Sequence, residues 1–65
     1  MTLEEFKATR FQFDDDMWEY AHERRRLCDI VMRVAVNQYT TSVSRAIFGT
    51  LEEAEACLFD YLENP

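Results

Sequence analysis

The stretch Asp29-Ile30-Val31-Met32-Arg33-Val34-Ala35-Val36-Asn37-Gln38-Tyr39-Thr40-Thr41-Ser42-Val43-Ser44-Arg45-Ala46-Ile47-Phe48 decides the fold. Ile30, Met32, Val34 and Val36 alternate with Val31, Arg33, Ala35 and Asn37, the period of two that sends successive side chains to opposite faces of a strand. Its β-branched content favours the same reading. Asn37–Thr41 then forms the loop of a β-hairpin and Ser42–Phe48 returns. A helical reading competes, because Met17, Tyr20, Ala21, Arg24, Leu27, Cys28, Val31, Val34 and Ala35 also make an unbroken stripe. The valines favour strands, and an all-α fold is the alternative.

An isolated two-stranded ribbon is marginal in water, so a third strand is needed. Arg10-Phe11-Gln12-Phe13 supplies it, or a second copy of the chain does. Two helix starts share one pattern: Thr2-Leu3-Glu4-Glu5 and Thr50-Leu51-Glu52-Glu53 both have the capping-box form, a Thr hydroxyl for the N3 amide and a Glu that reaches back. From Thr50 the apolar residues Leu51, Ala54, Cys57, Leu58, Tyr61 and Leu62 fall on one stripe, which predicts a helix over 50–63. Phe59 lies off that stripe, beside Glu52, Ala56 and Glu63. A further helix is expected to start in Asp14-Asp15-Asp16 and run to about Leu27. Its acids then lie at the N-terminus and Arg24-Arg25-Arg26 near the C-terminus, as the macrodipole favours. The expectation is an α+β fold, one small domain over residues 1–65, with a β-hairpin or three strands packed on two or three helices.

Sixty-five residues leave little room for both a core and a deep cleft. Thirteen acids against seven bases give a net charge of −6, distributed as −5 over residues 1–23, +4 over 24–45 and −5 over 46–65. Such a balance disfavours direct contact with nucleic acid and suits a protein that meets basic surfaces. No apolar stretch approaches the ~20 residues of a membrane span, and the acidic start is unlike a signal peptide. Cys28 and Cys57 form no CxxC pair, so a reducing, cytoplasmic setting with two small buried hydrophobes is expected over a disulfide bridge. Zinc would lack a fourth ligand beside these cysteines and His22. Glu19-Tyr20-Ala21-His22 has the Glu-x-x-His form of di-iron bundles, which needs carboxylates from other helices and a second copy. Ser42, Ser44 and the cysteines have no nearby base, and a single glycine excludes a phosphate-binding loop. No catalytic residue, metal or cofactor is therefore expected.

Within the basic block, Thr41-Ser42-Val43-Ser44-Arg45-Ala46-Ile47-Phe48-Gly49 resembles the recognition helix of helix-turn-helix repressors of the lactose-repressor type. That resemblance implies DNA contacts by Ser42, Ser44 and Arg45. Upstream the chain departs from the family, with Arg33, Asn37 and Gln38 where a small residue, a turn glycine and an apolar residue belong. The acidic flanks also oppose the contact. In size, charge and lack of catalytic motifs the chain looks like the small inhibitors that phages deploy against bacterial defence, anti-CRISPR proteins among them. That likeness implies a non-catalytic inhibitor in the host cytoplasm, some of whose class present carboxylates where a target expects phosphates. The leading expectation is accordingly a protein that binds a basic surface on a larger protein or nucleoprotein through Asp14, Asp15, Asp16, Glu52, Glu55 and Glu63. Phe59 serves as its apolar anchor; Glu53 and Asp60 carry the same charge, and Trp18 is a second anchor candidate. A small DNA-binding regulator using 41–49 and an accessory subunit of a larger complex are the alternatives. A free sheet edge predicts a homodimer or a tight complex with the partner.

Overall fold

In the computed structural model, residues 1–23 and 29–64 are described. Helix α1 (Leu3–Ala8) leads into strands β1 (Phe11–Asp14), β2 (Met17–Tyr20), β3 (Asp29–Ala35), β4 (Gln38–Thr41) and β5 (Ser44–Phe48), and helix α2 (Leu51–Glu63) follows. The five strands form one antiparallel sheet in the order β1-β2-β3-β4-β5, so every strand pairs with its neighbour in sequence. The class is α+β, but a five-stranded meander with two helices replaces the expected hairpin on two or three, and the all-α alternative falls with it.

Two local features account for the difference. Asp15 and Asp16 make the turn between β1 and β2 instead of starting a helix; aspartate suits a turn as well as a cap, since its carboxylate takes up nearby donors in either. Met17-Trp18-Glu19-Tyr20 then alternates as a strand, with Trp18 and Tyr20 buried two residues apart. The helix expected over 15–27 is thereby overturned across 15–23; its Arg24–Leu27 portion lies outside the described residues, as does Cys28. The second feature is the β3–β4 turn, which needs only Val36 and Asn37. Asn37 adopts φ 56°, a left-handed conformation that asparagine tolerates better than most residues. The segment Gln38–Thr41, expected as loop, is released to form β4, and its Tyr-Thr-Thr run suits a strand.

Helices cover one face of this sheet. Both begin where threonine caps them: Thr2 makes a complete capping box with Glu5, and Thr50 accepts the Glu53 amide at 3.2 Å. At Thr50 the box is not closed on the backbone, because the Glu53 carboxylate accepts from the Thr50 hydroxyl instead. Helix α2 lies across β3, β4 and β5, and α1 packs beside it. The core is Phe6, Trp18, Tyr20, Val31, Ala54, Leu58 and Leu62, with Phe6 stacked on Tyr20 at 5.0 Å between centroids. Trp18 is therefore a core residue and not a binding anchor. Among the described residues no helix is long and apolar enough to cross a membrane.

Candidate protein-binding surface

Registry assigns each strand residue to a face. Trp18, Val31 and Thr41 lie side by side beneath the helices, and Arg33 pairs with Tyr39 on the same side. There the Arg33 guanidinium sits 5.6 Å from the Trp18 ring and donates from Nε to Asp16 at 2.7 Å. Asp16, then Tyr39, hold its pKa above the ordinary arginine value. Asp16 is thus engaged within the molecule, while Asp14 and Asp15 are exposed at the β1–β2 turn.

The helical layer carries most of the remaining acid. On α2, Glu52, Glu53 and Asp60 are exposed and Glu63 is half-buried, and this helix contains no basic residue. On α1, Glu4 and Glu5 are exposed. Glu52 and Glu63 lie about 16 Å apart at the rise of an α-helix, so they belong to opposite ends of one face. Glu63 sits beside His22, with Nε2 to Oε1 at 3.7 Å. Asp14–Asp16 belong to a sheet hairpin and Glu52 and Glu63 to α2, so the expected set divides between two elements.

Two members of that set lie inside the molecule. Glu55 is fully buried, 0 % exposed. Its Oε2 accepts from the Tyr20 hydroxyl at 2.6 Å and from Arg10 Nη1 at 3.0 Å, which ties α2 to β2 and to the α1–β1 connection. Burial and the adjacent carboxylate push the Tyr20 hydroxyl well above its ordinary pKa, because ionisation there would place a second negative charge in the interior. Phe59 is half-buried, its ring 5.4 Å from Phe6 and 6.1 Å from His22. Helix α1 packs on that flank of α2, so a residue off the sheet-facing stripe is still covered. Tyr61, which spacing assigned to the core stripe, is the exposed aromatic of α2, 45 % accessible next to Asp60. Its apolar ring and polar tip are the features of an interface anchor.

The DNA-reading residues fare differently. Ser42 lies in the β4–β5 turn, and Ser44 and Arg45 begin a strand. No recognition helix exists over 41–49, and Ser42 Oγ accepts the Ile30 amide at 3.2 Å within the sheet. The Glu-x-x-His pair is also separated: Glu19 projects from the far face of the sheet, and His22 is buried against Phe6. Among the described residues no His, Cys, Asp and Glu are grouped to hold a metal ion, and Cys57 is a half-buried free thiol. A depression of about 360 Å³ lies at the β3–β4 turn between Asp16, Arg33, Val34–Asn37 and Tyr39. No family model, curated protein or solved structure matches the chain.

Proposed function

We propose that the protein is a non-catalytic binding protein that docks the outer surface of its helical layer on a basic surface of a larger protein or nucleoprotein and inhibits it by occupying that surface. The observation that carries this reading is what α2 exposes: the acids Glu52, Glu53 and Asp60 and the aromatic Tyr61, with no base on the helix. Acids at a rim steer the encounter with a basic partner, and an aromatic supplies the desolvated contact that slows dissociation. By size and charge the chain fits an inhibitor of the phage-encoded, anti-CRISPR-like kind, working in the host cytoplasm. Its carboxylates would stand where the target otherwise holds phosphates.

Capture from extracts of the source cells, with wild-type protein and two variants as parallel baits, tests the reading. A basic partner should associate more slowly and with a flatter salt dependence when Glu52, Glu53 and Asp60 are converted together to Gln, Gln and Asn. Tyr61→Ala should chiefly speed its dissociation, by roughly tenfold or more. Duplex DNA should show no shift at about 150 mM salt. A partner indifferent to both variants refutes the reading, as does a sequence-dependent DNA shift abolished by Arg45→Ala.

A further inference from the structure

Among the described residues, no element lies upon the face of the sheet opposite the helices. Phe11 pairs with Glu19 and Glu19 with Ile30; Asp14 pairs with Met17 and Met17 with Met32, and these rows alternate with Trp18 and Val31, which face the core. Ile47 precedes Phe48, which packs on the core, so Ile47 points away from it. Phe11 (60 %), Ile47 (57 %) and Met32 (38 %) are therefore exposed together on one side. An antiparallel sheet with one solvated face normally reads apolar and polar in turn, whereas strands covered on both faces read as a continuous apolar run. Strand β3, with Ile30-Val31-Met32 and Val34-Ala35, reads as covered.

We propose that the occupant is a second copy of this chain, packed sheet to sheet about a two-fold axis running along β3. Charge argues for it. The molecule as a whole is −6, yet the charges on this face divide by side, with Asp14 and Glu19 on β1 and β2 and Arg45 on β5. A two-fold axis along the central strand lays β1–β2 of one copy over β4–β5 of the other, so each copy's acids meet the other's Arg45, the self-complementarity an isologous interface requires. Area agrees. Five strands at ~4.8 Å spacing and about four to five residues at ~3.3 Å each make a footprint of roughly 24 by 15 Å. With side-chain relief that buries on the order of 600 Å² per copy, at the lower end of stable interfaces. A depression of about 110 Å³ on β3–β4, lined by Ile30, Met32 and Thr40 to Ser42, offers a seat for an apolar side chain of the facing sheet. Edge-to-edge pairing is disfavoured by comparison: β1 and β5 are both short, and each has an irregular register with its neighbour. The dimer leaves both acidic helical layers facing outward.

Sedimentation and light scattering of the full chain at about 100 μM, well above the dissociation constants of interfaces this size, should give twice the 7.8 kDa of one chain. Met32→Glu alters a side chain that is exposed in the single copy, so it should yield a folded monomer with unchanged far-ultraviolet dichroism. Glu19→Arg or Arg45→Glu alone should weaken the dimer roughly tenfold, and the two together should restore it. A wild-type monomer at that concentration, or a dimer that survives Met32→Glu, overturns the proposal. If the doubly reversed protein dissociates as readily as the single variants, the two-fold arrangement is refuted.

Discussion

Glu55→Ala distinguishes an internal carboxylate from a surface one. In the folded chain this side chain is 0 % exposed and holds the Tyr20 hydroxyl at 2.6 Å and Arg10 at 3.0 Å. Removing it orphans a buried hydroxyl; a hydrogen bond to a charged group contributes about 1.5–3 kcal/mol. Arg10 is 38 % exposed on its side chain, so water screens its loss and that bond adds at most about 1 kcal/mol. Against these stands relief of burying a carboxylate whose Oε1 has no hydrogen-bond partner among the described residues. The net loss expected is about 2 kcal/mol, a large part of the roughly 3–10 kcal/mol typical of a chain this long. Urea unfolding followed by dichroism should show the midpoint fall by about 1–2 M, at a slope near 1–2 kcal/mol per molar for so small a domain. Tyr20→Phe on its own and combined with Glu55→Ala completes a double-mutant cycle with a coupling above about 0.5 kcal/mol. A midpoint unchanged by Glu55→Ala, together with slower partner association, would refute the internal role and return Glu55 to the binding surface.

Phe59→Ala should destabilise the fold by about 2 kcal/mol, below the ~3–5 kcal/mol of a fully buried phenylalanine, and leave the partner's dissociation rate unchanged; a thermal melt and a kinetic binding trace check the two halves. Asn37→Gly should be tolerated, whereas Asn37→Val should cost about 1 kcal/mol or more because a β-branched residue is strained at φ 56°; denaturant midpoints read the difference. Alkaline titration tests Tyr20. Its folded pKa is raised above the ordinary value near 10, so above that pH the unfolded chain releases a proton that the folded chain retains. Stability present below about pH 10 is therefore lost as pH rises further, and Tyr20→Phe should flatten the decline.

What could be read in the sequence was what local chemistry determines. Thr2 and Thr50 mark helix starts because a cap needs only residues three apart. The β-branched run after Asp29 reads as strand for an equally local reason. Met17–Tyr20 was hidden because Met17 and Tyr20 fit a 3.6 period while Trp18 and Tyr20 fit a period of two, and only pairing with Asp29–Met32 chooses between them. Glu55 looked solvated because an acid among acids gives no local sign of partners 35 and 45 residues away. Phe59 and Tyr61 exchanged roles for a tertiary reason as well: α2 has two covered flanks, one against the sheet and one against α1, and a stripe calculation allows for one. The open face did leave a trace, since both alternating rows of β3 are rich in apolar residues.

Because each strand pairs only with the one before it, the sheet demands little loop closure, and such local wiring belongs to fast-forming topologies. During synthesis all five strands leave the ribosome before α2 does. A nascent chain can therefore zip its meander, with α1 already made, while Trp18 and Val31 still lack the cover of α2 on one side and Phe11, Met32 and Ile47 are open on the other. For that interval the sheet has α1 alone on one face and nothing of α2, the state of exposed apolar surface in which partly made proteins adhere to one another. Arrival of α2, with Glu55 closing on Tyr20, ends it from one side only. The vulnerable moment of this protein's life is thus set by the order in which its elements are translated.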